Sequence, residues 1–204
     1  LNTIKWQAIS QSQMDIANSI VALTKILEYS CKNTLDMVAL REEIQFIEDY
    51  IYIQNMRYGS SVVVKYQIED DCRECLVLKM LLQPIVENAV KYGFCDIFEG
   101  GLIRISVTEQ AGQLTFSVYN NGTPMEEQMA EKLNGLSEIP VSKMKDSFEE
   151  KKHGYGVINI ITRLRLKYGE DVRFFYESDT NGTVCVIQIL SLIHISEPTR
   201  LLSI

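Results

Sequence analysis

Three short clusters in this 204-residue chain hold side chains able to do chemistry together. The first is Glu87-Asn88-Ala89-Val90-Lys91-Tyr92-Gly93, late in a segment that is apolar at Leu81 and Leu82 and carries Pro84. On an α-helix Glu87 and Lys91 are four apart and share a face, with Asn88 beside them. A proton acceptor, an amide oxygen and an ammonium then meet at one helix end; the same residues also describe a surface ion pair next to a buried Asn cap. The second cluster, Asn120-Asn121-Gly122, leads into Thr123, Pro124 and Met125. Asn and Gly tolerate positive φ, so alone this run describes a turn. The third is Gly154-Tyr155-Gly156, with Asn159 and Arg163 one and two helical turns farther on. Glycines before a helix let backbone N–H groups and the helix dipole meet a phosphate, although a flexible start to a helix gives the same pattern.

The elements that carry these clusters follow from periodicity. Ile16, Ile20, Leu23 and Leu27 recur at helical spacing, as do Leu40, Ile44, Ile47 and Ile51, so each series predicts one apolar stripe on a helix. The polar stretch Ser30-Cys31-Lys32-Asn33-Thr34 between them predicts an antiparallel helix pair, and residues 1–11 read as the end of a preceding helix. After Gly59 the period becomes two: Val62, Val64, Tyr66 and Ile68 alternate with Val63, Lys65 and Gln67 in a half-buried strand. A helix is expected over 77–92, followed by a hairpin that pairs Ile103, Ile105 and Val107 with Leu114, Phe116 and Val118 across Ala111-Gly112. Residues 122–153 are polar and weakly periodic, as in a lid. A helix over 157–168 and strands over 172–176 and 183–189 complete an α+β sandwich with helices on one face of the sheet.

Composition narrows the class. Hydrophobic residues make up 46% of the chain, as in a globular protein, and the net charge of −7 is dispersed, with no Lys/Arg block to suit a nucleic acid. No apolar run is long enough to span a bilayer, and the N-terminus lacks the pattern of a signal peptide. Five cysteines without framework spacing suit a reducing compartment. Cys72 and Cys75 have C-x-x-C spacing but no second ligand pair, which reads as two ordinary thiols in a turn. Residues 191–204 (SLIHISEPTRLLSI) break the pattern and resemble a foreign extension such as adaptor read-through.

In order and spacing the clusters resemble the ATP pocket of the GHKL superfamily, which groups sensor histidine kinases with Hsp90-type chaperones, type II topoisomerases and MutL-type proteins. Glu87-Asn88 resembles its N box, Asn120-Asn121-Gly122 and Gly154-Tyr155-Gly156 its two glycine boxes, and Asp179-Thr180-Asn181-Gly182-Thr183 its final Gly-Thr motif. The phrases YIYIQNMRYG, LQPIVENAVKYG and GYGVINIITRLRLKYG are most similar to the LytS/YesM-type histidine kinases. The resemblance implies an N-terminal helical dimerisation element over 1–58, then a Bergerat-type ATP-binding α/β sandwich over 59–190.

It further implies ATP and Mg²⁺ as ligands. Asn88 would hold the metal, Glu87 would orient or deprotonate the attacking histidine, and Lys91 would approach the phosphates. Tyr92, Asn120, Gly122, Gly154, Gly156, Asn159 and Thr183 would form the rest of the nucleotide site, with Arg163 behind it and a lid over 125–152. Position 120 is an aspartate in most relatives, so Asn120 implies weakened adenine binding. Pro124, where a second glycine often stands, implies a stiffer hinge. The implied partners are a second copy of the chain, joined through the helices, and a response-regulator receiver domain. The implied setting is the cytoplasmic portion of a membrane-anchored protein. The phospho-accepting histidine is expected ahead of Leu1, because His153 and His194 suit that role poorly. The alternatives are a degenerate, nucleotide-binding scaffold and a serine kinase of the anti-sigma-factor type, the latter disfavoured by the two leading helices.

Overall fold

A computed structural model describes residues 1–31, 37–59, 62–95, 99–141 and 155–190. Helices α1 (Asn2–Ser10), α2 (Met14–Cys31) and α3 (Leu40–Tyr58) open the chain. Leu40, Ile44, Ile47 and Ile51 are all buried, as their spacing predicts. The α2 stripe is the reverse: Ile16, Leu23 and Leu27 are 47%, 39% and 46% exposed, and the buried side chains of α2 are Ala17, Ala22 and Tyr29. Small alanines let α2 lie close to its neighbours, so its larger apolar residues are turned outward. α3 stops at Gly59, whose φ of 59° supplies the left-handed C-terminal residue that many helices end on.

Asn55 then ties α3 to the sheet. Its Nδ2 donates to the Val62 carbonyl at 2.9 Å while its Oδ1 accepts from the Val62 N–H at 3.0 Å. Strands β1 (Met37–Ala39) and β3 (Leu76–Leu78) form a separate antiparallel ribbon beside the start of α3. The main sheet orders β2 (Val63–Ile68), β4 (Leu102–Gln110), β5 (Gln113–Asn120), β7 (Gly182–Leu190) and β6 (Arg173–Asp179), with β2 parallel to β4 and the other neighbours antiparallel. The β4–β5 hairpin turns at Ala111 and Gly112, both at positive φ (51° and 79°), the pairing a tight two-residue turn requires.

The helix expected over 77–92 starts later. Residues 76–78 pair with β1 instead, Met80 takes a left-handed φ of 58°, and α4 (Gln83–Asn88) begins with Pro84 in its first turn, where a missing N–H is harmless. Its last turn, Ala89–Gly93, is π-helical. In the stretch read as weakly periodic, α5 (Glu127–Asn134) buries Ala130 and Leu133. Asn134 brackets β6 through both backbone polar groups of Tyr176. Helix α6 (Tyr155–Tyr168) buries Val157, Ile158, Ile160, Ile161 and Leu164. The facing side chains of the sheet, among them Ile103, Ile105, Phe116, Val118, Phe174 and Ile187, complete one continuous core. The sandwich has its helices on one face, as the pattern predicts. Gly154, His153, residues 142–152 of the lid, residues 32–34 of the connector and the extension 191–204 lie outside the described residues.

Candidate nucleotide site

Two rows of residues across the sheet prepare a cavity at the ends of β5 and β7. In the outer row Asn120 stands opposite Thr183, and Thr183 opposite Ser178; in the inner row Val118 stands opposite Cys185, and Cys185 opposite Tyr176. Because side chains on one face recur every second residue, both rows point to the helical side. Above them lies a cavity of ~420 Å³, closed by Ile85, Asn88 and Ala89 of α4, by residues 123–126, by Met129 and Leu133 of α5, and by Val157 of α6. An apolar slot with a few polar groups at its ends is what a planar heterocycle requires.

Asn120 is held by two different partners. Its Oδ1 accepts from the Gly122 N–H at 3.1 Å and its Nδ2 donates to the Thr183 carbonyl at 3.3 Å. A donor on one side and an acceptor on the other fix which way the amide points, leaving one oxygen lone pair and one N–H for a ligand. The neighbouring Asn121 turns outward and bridges Leu102 N and Gly100 O, so only the first Asn of the pair serves the cavity. Thr183 lends its Oγ1 to the Met125 N–H at 2.9 Å, which anchors the start of the lid segment to β7.

The backbones around Asn120 approach too closely for side chains. A Cβ on Gly122 would stand 2.3 Å from the Gly93 carbonyl oxygen, and a Cβ on Gly93 would stand 2.7 Å from Asn120 Oδ1. Thr123 N–H donates to that same Gly93 carbonyl at 2.7 Å, so the end of α4 and the β5 exit form one joint. Deep in the cavity the Tyr176 hydroxyl is buried and has no partner at hydrogen-bonding geometry among the described residues. Burial and the adjacent Cys185 thiol push its pKa far up, with the Asn88 amide acting in the opposite direction, so it is a protonated donor at neutral pH. Burial likewise raises the Cys185 thiol.

The expected site residues divide by location. Asn88, Tyr92, Asn120 and Thr183 line the cavity, and Gly122 packs at its rim. Glu87 and Lys91 stand outside it. Glu87 Oε1 accepts from Gln83 Nε2 at 2.6 Å and its charge reaches Tyr50 of α3, whose hydroxyl is raised first by burial and then by Glu87. Lys91, in the π turn, is exposed, with its ammonium 4.9 Å over the Tyr92 ring. Asn159 is exposed on α6. Gly156 opens the same helix, where a Cβ would come within 3.2 Å of Pro84. Arg163 is directed away from the cavity, its Nη2 donating to the Lys79 carbonyl at 2.6 Å. Tyr176, Cys185, Met129 and Leu133 carry no motif; only the alternation of β6 and β7, taken with their register, brings the first two to the cavity.

The C-x-x-C thiols lie elsewhere. Cys72 and Cys75 are both buried in the core, and burial pushes Cys72 up to about 12. No group of three His, Cys, Asp or Glu side chains suited to a metal occurs among the described residues, nor any helix long and apolar enough to cross a membrane.

Comparison with known proteins agrees with this geometry. Residues 76–192 match the family of histidine kinase-, DNA gyrase B-, and HSP90-like ATPases, and residues 1–62 match the histidine kinase family. Sensor histidine kinase YesM of Bacillus subtilis is 28% identical over 93% of this chain, which spans 30% of the length of that relative. The catalytic domain of histidine kinase ThkA superposes with a TM-score of 0.52 at 18% identity, covering 76% of this chain and 94% of that domain. Histidine kinase ThkA in complex with response regulator protein TrrA superposes with a TM-score of 0.51 at 17% identity, covering 89% of this chain and 51% of that one. The ATPase match alone covers more than half of the sequence, so this chain belongs to the histidine kinase-, DNA gyrase B-, and HSP90-like ATPase family, and the segment ahead of that domain matches the histidine kinase family.

Proposed function

We propose that this chain is the ATP-binding catalytic part of a two-component sensor histidine kinase, which passes the ATP γ-phosphoryl group to a histidine and then to a response-regulator aspartate. The observation that carries this reading is the joint at Gly93 and Gly122. It brings Asn120, a hydrogen-bonding amide for a purine edge, and Asn88, an oxygen ligand, to the same cavity. The donor set suits Mg·ATP. The Tyr176 hydroxyl and the remaining valences of Asn120 are polar groups in search of a ligand, and a single amide oxygen suits Mg²⁺, which keeps phosphates and water as its other partners. When bound, the metal would neutralise charge on the phosphates.

In this reading Glu87 faces the helical segment rather than the nucleotide, which supports its acting on an incoming histidine. Lys91 would swing from the Tyr92 ring to the phosphates. Gly154 and Gly156 would shape the phosphate-side loop, with Asn159 on the helix behind them. We further propose a division at residues 58 and 59 between helical and ATP-binding parts, and a homodimer. The outward apolar stripe of Ile16, Leu23 and Leu27 supports the dimer. The setting proposed is the cytoplasmic side of a membrane-anchored kinase, and the partner the receiver domain of a response regulator.

The test mixes the chain with labelled ATP, Mg²⁺ and a peptide carrying a kinase histidine helix. Acid-labile, base-stable label on the peptide is the expected result. Measured ATP binding without any phosphohistidine would favour a nucleotide-binding scaffold, the reading that Asn120 in place of the usual aspartate supports.

A further inference from the structure

A carboxylate in the middle of the molecule is used by none of the chemistry above. Glu43 of α3 is 1% exposed, yet its oxygens are surrounded by donors. Oε2 accepts from the Leu81 N–H at 2.9 Å and the Leu82 N–H at 3.1 Å, while Oε1 accepts from the Met80 N–H and from the Tyr29 hydroxyl of α2. Three consecutive N–H groups converging on one point form an anion-binding nest. Here the anion is part of the chain.

The three amides precede α4, the helix that carries Glu87 and Asn88. The residue before α4, Leu82, makes no side-chain cap; its own N–H and those of Met80 and Leu81 just ahead of it are satisfied by Glu43 from a different element. Met80 holds its left-handed φ of 58°, unfavourable for a residue with a Cβ, with its N–H on the same carboxylate. The turn is pinned from other directions as well. The fully buried Lys79 reaches the Ser30 carbonyl of α2 at 3.3 Å, and Arg163 of α6 donates to the Lys79 carbonyl at 2.6 Å.

We infer that Glu43 is a positioning residue of the nucleotide site: it fixes the turn 79–82, and through the rigid six residues of α4 it sets where Asn88 stands, coupling the helical pair α2–α3 to the cavity. A change in how α2 and α3 pack moves the carboxylate and with it the start of α4. Burial raises the Glu43 carboxyl while the Tyr29 hydroxyl and the three N–H groups act against it. This inference rests on the proposed Mg·ATP site, so its test separates the two.

The whole chain is compared with Glu43→Gln, Tyr29→Phe and a control, Val107→Ala, which removes core volume from β4 away from this turn. Binding of ATP is measured with and without Mg²⁺, and amide hydrogen exchange is followed over 80–93. Glu43→Gln, which must turn its NH₂ toward at least one backbone donor, is expected to lose about tenfold of the Mg²⁺-dependent gain in affinity. Metal-free affinity, set at the Asn120 end, should stay within about twofold, and exchange in α4 should accelerate about tenfold. Tyr29→Phe keeps the three amides and should fall between, which preserves the test if Glu43→Gln does not fold. A Glu43→Gln variant that retains the full metal-dependent gain and unchanged α4 exchange overturns the inference. So does a Val107→Ala variant that loses the gain equally. No ATP binding by the unsubstituted chain would instead refute the site itself, and the inference with it.

Discussion

Asn120 sits between the demands of folding and those of binding. Its amide donates to the Thr183 carbonyl and accepts from Gly122, a pairing a carboxylate cannot reproduce, because one of its oxygens would face the carbonyl oxygen 3.3 Å away. In the proposed site Asn120→Asp should tighten ATP binding roughly fivefold, through a charge-assisted bond to the purine amine. It should also lower stability by about 1–2 kcal/mol, read from urea denaturation. Tighter binding without lost stability, or the reverse, would contradict the geometry. Gly122→Ala has no such balance. Its Cβ falls 2.3 Å from the Gly93 carbonyl, so the joint must open, and we expect loss of ATP binding together with at least ~2 kcal/mol of stability. At this scale the placement of Asn88, Asn120, Gly122 and Thr183 around one cavity was legible, because their residue types and order form a motif. Tyr176 and Cys185 were not, because they reach the cavity by cross-strand register, which is set by pairing partners far away in sequence. Glu43 was invisible for a related reason: its partners are main-chain amides, which leave no trace in side-chain types.

Among the elements, those with long apolar series behaved as periodicity dictates: α3, α6 and the β4–β5 hairpin. The failures share a cause in tertiary competition. Residues 76–78 form a strand because β1 offers an edge to pair with, and the helix start moves to Pro84. On α2 the apolar residues at helical spacing do not mark the inner face, because Ala17 and Ala22 permit closer packing than Ile16 and Leu23 would. One side chain of α3 bonds directly to the backbone that leads into β2. Asn55→Ala removes both bonds to Val62 and should destabilise the fold by about 1–3 kcal/mol, seen as a lower urea midpoint with little change in m.

For the molecule as a whole, thiol chemistry gives a direct check on packing. Cys31 and Cys95 are exposed whereas Cys72, Cys75 and Cys185 are buried, so a maleimide should label two thiols quickly and the other three only after denaturant. Fast labelling of Cys72 or Cys75 would mean that the core is not closed around the C-x-x-C pair. Exposure of Ile16, Leu23 and Leu27 gives the proposed dimer its own check, since Leu23→Glu should shift sedimentation toward monomer and leave stability within about 0.5 kcal/mol.

The sheet order has one further consequence, for the time at which the site comes into being. The hairpin of β4 and β5 is local and can form early, but the Asn120–Thr183 bond joins residues 63 apart in sequence, and β7 must slot between β5 and β6 before it exists. The Asn120 end of the cavity thus needs β7 in place, and a chain still emerging from the ribosome without β7 is expected not to hold the proposed nucleotide. Nucleotide capture is then a report that synthesis and folding of the domain are complete.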